Sequence, residues 1–136
     1  MTEDKDPDIE QWKKELEEAW RRIPKAFRSD RAVHGTLQCR LFRIVEKLGF
    51  RTVADYMPPR IMDRSVDIIA VNDENAVVHA VCIETVVTLA AVKSLNSFAA
   101  QNKLILTTGP LEKKVQESKF FLNEEIKHAH LKPFER

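Results

Sequence analysis

Apolar residues recur at helical spacing near the amino terminus, turn into near-continuous runs in mid-chain, and return to helical spacing after residue 88. Ile9, Trp12, Leu16, Ala19, Trp20 and Ile23 share one helical face. Glu10–Lys14, Glu17–Arg21 and Glu18–Arg22 pair one turn apart on the other. Asp6 and Pro7 supply a cap and a first-turn proline, and Pro24 follows the last apolar position, so a first helix is predicted between them. The charged stretch 25–33 reads as a connection. Leu37, Leu41, Ile44, Val45 and Leu48 mark a second helix over 35–48, with Gly49 placed to close it in a left-handed conformation.

Residues 50–56 then read as a strand, stopped by Met57-Pro58-Pro59. The runs 64–71 and 76–87 are rich in β-branched residues and predict two more strands, joined by the polar hairpin loop 72–75. A helix over 88–101 follows, with Leu89, Val92, Leu95, Phe98 and Ala99 inward. A short strand over 103–107 and a last helix over 111–128, with Leu111, Val115, Leu122 and Ile126 inward, complete the order α-α-β-β-β-α-β-α. That order predicts an α/β fold: a mixed central sheet of about four strands flanked by helices, with an added N-terminal helix. The reading divides the chain into an N-terminal helix and connection, 1–33, and an α/β core, 34–136.

Composition narrows the classes without choosing among them. The 136 residues suit one domain, and 43% apolar with 32% charged residues is the balance of a folded one. Lysine and arginine total 22 against 21 acids, a net charge of +1, so any affinity for nucleic acid must come from a local patch. No apolar run approaches the roughly 18 residues needed to span a bilayer, so no membrane role is expected. The amino terminus is acidic and not leader-like. Cys39 and Cys82, far apart among apolar neighbours, then read as reduced core thiols of a cytoplasmic protein.

One arrangement suggests chemistry. Asp67 and Glu84 each lie inside an apolar strand, where a carboxylate is costly unless paired, protonated or metal-bound. A hairpin centred on Asp73–Glu74 sets Asp67 opposite Ala80 and Glu84 opposite Asp63, so all three acids share a face. Such a face suits a hard cation such as Mg²⁺. The alternative is that arginines such as Arg51, Arg60 or Arg64 satisfy the acids.

The second helix ending in Leu-Gly-Phe, the strand, SVDIIAV, AVCIET and the helix–strand–helix that follows resemble the PD-(D/E)XK nuclease superfamily, including its restriction-endonuclease-like and Holliday-junction-resolvase-like members. The likeness spans residues 34–128. It implies a metal-dependent phosphodiesterase site in which Asp67 and Glu84 are the catalytic acids and Mg²⁺ ligands. Two positions depart from the pattern. Val86 stands where the lysine on the third strand is expected, and Gln38, a weaker metal ligand, stands where the first core helix would carry a glutamate. Lys93 is the candidate for a migrated lysine and Lys103 a poorer one. A valine cannot orient the attacking water or offset developing charge.

The resemblance therefore implies a nucleic-acid-binding protein with an incomplete, inactive site. An active Mg²⁺-dependent nuclease using Lys93 and a non-enzymatic scaffold are the alternatives. Arg40, Arg43, Arg60 and Arg64, with Lys47 and Arg51, form the basic cluster expected to contact DNA or RNA phosphates. Trp12 and Trp20, eight residues apart, read as core, with a homodimer or other protein contact through this helix as the alternative. His34 reads as a surface residue beside a helix cap, with an approach to the acid cluster as the alternative, and His79 as a core or edge histidine. His128 and His130, on a helix, would diverge and bind no metal together.

Overall fold

The structure, a computed structural model, describes residues 7–134. Helix α1 (Ile9–Arg21) is capped by Asp8, whose carboxylate accepts the Gln11 N–H at 3.1 Å. The cap thus falls one residue after Pro7, and Asp6 lies outside the described residues. Helix α2 (Asp30–Lys47) starts five residues earlier than the apolar stripe predicts, because the Ser29 hydroxyl accepts the Ala32 N–H and Val33 already belongs to the buried face. Its end matches expectation: Gly49 has φ 99°, the left-handed closing residue. Leu48, expected inward, is half exposed.

Strands β1 (Arg51–Tyr56), β2 (Val66–Val71) and β3 (Val77–Glu84) form an antiparallel meander. Helix α3 (Leu89–Asn96) crosses over to β4 (Asn102–Thr107), parallel to β3. Thr88 caps α3, and the helix stops at Asn96, where the Ser97 hydroxyl bonds the Ser94 carbonyl. Leu89 and Ala99, expected inward, are exposed. Gly109, after β4, lies so close to the Thr85 carbonyl that an added Cβ would sit 2.6 Å from its oxygen, so only glycine fits there.

The predicted last helix is two elements. Helix α4 (Glu112–Ser118) covers two turns, and β5 (Ile126–His130) pairs parallel with β4. Val115 and Ile126 are buried, as the spacing required, but on different elements. A helix through residue 128 would leave β4 as an apolar edge with unpaired backbone groups, and β5 covers that edge. The result is a mixed sheet of five strands in the order β1-β2-β3-β4-β5, not about four.

Helices α1 and α2 pack on one face through Trp12, Leu16, Leu37 and Leu41 against Ile68, Val81 and Leu104. Helix α3 packs on the other, with Val92 and Leu95 against Ile69, Cys82 and Ile105. The three middle strands, covered on both faces, therefore read as apolar runs without alternation. His79 is a core histidine, ringed edge-on by Trp12 and Phe50 at 5.4 and 5.3 Å. Both tryptophans of α1 pack within the chain itself: Trp12 in the core and Trp20 against Phe134. No helix among the described residues is long and apolar enough to cross a membrane.

Candidate functional site

The β2–β3 hairpin brings Asp67 and Glu84 together. The register differs from expectation by two residues, with Ile69 rather than Asp67 opposite Ala80. Asn72 explains the change. Its N–H pairs with the Ala76 carbonyl, its side chain accepts the N–H groups of Glu74 and Ala76, and Asn75 takes φ 63°. The tight turn is followed by a register shift at Ala70/Val71. Alternation breaks at Asp67, since Val66 packs on the α3 side and Ile68 on the α1–α2 side. Asp67 therefore reaches His34 on α2, whereas Glu84 reaches Thr88 at the start of α3, and the expected shared face is not what joins the two acids. Asp63 is exposed and does not face Glu84.

The ladder gives way beyond the Ile68–Val81 pair, and Asp67 fills the opening. Its carboxylate is 1% exposed and accepts the Ile83 N–H at 2.6 Å, His34 Nε2 at 2.8 Å and Arg64 Nη2 at 3.0 Å. A carboxylate only accepts, so His34 carries its proton on Nε2 here. Arg64 Nε donates to Glu84 Oε2 at 2.5 Å, and its other nitrogens reach the Ser65 and Ile83 carbonyls. The Arg64 carbonyl is in turn fixed by the Ser94 hydroxyl at 2.6 Å, and Thr88 Oγ1 reaches Glu84 at 3.3 Å. One guanidinium thus spans both acids.

The electrostatics follow from that geometry. Burial disfavours the Asp67 charge, but the His34 hydrogen bond, the Arg64 charge and the Ile83 N–H outweigh it and lower its pKa. The bond to Asp67 raises the His34 pKa against partial burial. Burial likewise opposes the Arg64 charge, while the Asp67 and Glu84 carboxylates act the other way and raise its pKa. Burial pushes the Cys82 thiol up to about 12, so it stays protonated. The raised His34 value has a testable sign. Its stabilisation is complete below its unfolded value of 6.5 and is lost as pH rises through the higher folded value. The difference in urea-unfolding stability between wild type and His34→Gln should therefore shrink from pH 6 to pH 8. It is set against the opposite trend of His128 and His130, whose lowered values add stability as pH rises.

Gln38 reaches the same place. Its side-chain N–H groups donate to Asp55 Oδ1 at 2.8 Å and to the Asp67 carbonyl at 3.1 Å. Asp55 lies in β1 between the pairs Ala54–Ile68 and Tyr56–Val66, at the level of Asp67, with φ 55°. That left-handed backbone is tolerated by aspartate better than by most residues. Asp55 is not singled out by the sequence pattern, and His34, read as a surface residue with an approach to the acids as the alternative, is in fact bonded to Asp67. The alternative is decided only once α2 is known to start at Asp30, which sets His34 and Gln38 one turn apart on one stripe.

Lys93 is exposed on α3 and makes no contact with the acids. Lys103 pairs with Ala80, whereas Glu84 pairs with Thr107, which separates the two levels by about 13 Å of strand. Val86 is half-buried beyond the end of β3. Among the described residues no group of three or more His, Cys, Asp or Glu is placed to hold a metal ion. The Asp67 and Glu84 oxygens that converge are engaged by Arg64, so the residues do not fit Mg²⁺.

Protein-family models, curated proteins and solved structures give no match to this chain.

The basic cluster divides. Arg40 and Arg43 line a groove of about 410 Å³ between α1 and α2, together with Arg22, Gly35, Thr36 and Cys39. Cys39 is therefore exposed and not a core thiol, while Cys82 is buried. Arg60 stands exposed on the β1–β2 connection with φ 71°. Arg51 clamps the hairpin loop through the Asn72 carbonyl and Asn75, and Arg64 is enclosed with the acids. Arg22, which no sequence cluster contains, joins the groove because α1 packs along α2.

Proposed function

We propose that this chain is a nucleic-acid-binding protein of restriction-endonuclease-like fold, in which Arg64 has replaced the catalytic cation and cleavage has been lost. The observation that carries the reading is the Arg64 guanidinium bridging Asp67 and Glu84. The element order α2-β1-β2-β3-α3-β4 supports the fold, since it puts the two acids at neighbouring positions of adjacent strands, as the resemblance implies. A guanidinium neutralises the acids but provides neither a Lewis acid nor an activated water. The migrated-lysine alternative loses support because Lys93 lies in solvent, away from both acids.

The groove between α1 and α2 is the proposed contact surface. Arg22, Arg40 and Arg43 make no ion pair among the described residues, and three like charges around one depression favour an anion such as a phosphodiester. Three phosphate contacts on duplex DNA give a log–log salt slope of about −2.7, or roughly a 40-fold loss of affinity between 50 and 200 mM salt.

Gly35 offers a clean test. A Cβ added there meets nothing within 4 Å, so the groove floor is open and a side chain can enter without disturbing the core. Gly35→Glu is expected to stabilise α2 by about 0.5–1 kcal/mol, from helix propensity, while placing an acid among the arginines. Fluorescence anisotropy with labelled duplex and single-stranded oligonucleotides should show weaker binding and a shallower salt slope for the variant. Equal binding by both proteins would remove the groove from the reading.

A further inference from the structure

We propose that His128 and His130 form a binding site for a borderline divalent transition-metal ion of the Zn²⁺ class, one strand over from the carboxylate site, since the Thr107 that holds both rings pairs with Glu84. The two imidazoles belong to β5, where residues two apart project from the same face. In the parallel register with β4, Ile105 pairs with His128 and Thr107 with His130. His128 Nε2 and His130 Nδ1 each lie 2.8 Å from Thr107 Oγ1, so the two nitrogens are no further apart than twice that distance. A tetrahedral Zn²⁺ with bonds of about 2.0–2.1 Å joins nitrogens roughly 3.4 Å apart, which modest ring rotations supply.

The protonation chemistry is favourable. A hydroxyl has one proton, so Thr107 donates to one ring and accepts from the other. Metal binding requires that the second ring move its proton to its other nitrogen through solvent, a tautomer change with no change of charge. Both rings are neutral at neutral pH. Burial first, then Lys119 and His130, pull the His128 pKa down to about 4. Burial also lowers the His130 pKa, with Glu112 opposing and Lys132 assisting. Protons therefore compete little with a metal. Neutral imidazole selects Zn²⁺, Ni²⁺ or Cu²⁺ over Mg²⁺ or Ca²⁺.

One of the two rings borders a cavity: His130 lines a volume of about 360 Å³ with Trp20, Gly109 and Phe134. Glu112, on the same wall, is held by Lys132 at 2.6 Å. Among the described residues no third His, Cys, Asp or Glu completes a cluster, so the Thr107 hydroxyl and water would fill the remaining positions and the ion would be exchangeable.

The test is calorimetric titration of untagged full-length protein with Zn²⁺, alongside NMR of the histidine Hε1 resonances. One Zn²⁺ per chain is expected, with shifts confined to His128 and His130. His128→Gln and His130→Gln should each abolish the heat, and Thr107→Val, which releases both rings, should weaken binding about 10- to 100-fold. Absence of Zn²⁺ binding by the wild type, unchanged binding in His128→Gln/His130→Gln, or shifts at His34 or His79 instead would overturn the proposal. The NMR readout uses the wild type alone and so stands if a variant fails to fold.

Discussion

Asp67→Ala is expected to lower the unfolding free energy by about 3–5 kcal/mol, the usual consequence of removing one partner from a buried ion pair. The carboxylate answers three donors at once: the Ile83 N–H, His34 Nε2 and Arg64 Nη2. Without it the Ile83 N–H has no acceptor at the point where β2 and β3 part, and the guanidinium is left with Glu84 as its only carboxylate. Asp67→Asn keeps the shape but loses the charge and, with its oxygen toward the Ile83 N–H and Arg64, turns its NH2 toward His34, so it should recover only part of the loss. Urea unfolding at pH 7 measures this. A loss under about 1 kcal/mol would place Asp67 in solvent-like surroundings, at odds with 1% exposure. The lowered Asp67 pKa adds a pH signature: its contribution is present above the ordinary value of 3.8 and is lost as pH falls through the depressed folded value.

How much of this was legible depended on how local each cause is. The run VDIIAV gives a buried strand because no helix period fits it, and Asp67 stands out because an acid in such a strand needs a partner. The two acids do meet, but through Arg64 and not through the shared face that parity predicts, because alternation breaks at Asp67. The register itself was set by Asn72, whose side chain closes the turn in a way that alternation does not encode. The last helix was misread because Leu111, Val115, Leu122 and Ile126 satisfy helical spacing across a break that only the need to cover β4 reveals. That error also hid the His128–His130 pair, since positions two apart diverge on a helix and coincide on a strand.

The partners of the acids were only partly legible. Arg64 stood among the arginines that could satisfy them, but nothing in its spacing distinguished it from Arg51 or Arg60. Its selection depends on long-range packing: Ser94 on α3 holds the Arg64 carbonyl, which aims the side chain between the strands. Arg22 was illegible for a similar reason, because the α1–α2 packing that brings it beside Arg40 and Arg43 is tertiary.

The Arg64 assignment has the second large consequence. Arg64→Ala leaves two convergent carboxylates without their shared cation, and stability at pH 7 should again fall by about 3–5 kcal/mol. Unlike the loss of Asp67, this loss should be repaired from outside. With the guanidinium gone, the Asp67 and Glu84 oxygens become free to accept a divalent ion, and an ion that binds only the folded chain stabilises it by mass action. At an ion concentration one hundred times its dissociation constant the gain is about 2.7 kcal/mol. Cleavage of oligonucleotides is not expected to return, because Val86 still offers no cation beside the attacking water. The deciding measurement is the thermal unfolding of wild type and Arg64→Ala with and without Mn²⁺ at low millimolar concentration. Recovery of the variant by Mn²⁺, with the wild-type midpoint unmoved, is the expected result; equal stabilisation of both proteins, or none of the variant, would contradict the claim that Arg64 occupies the place of the metal.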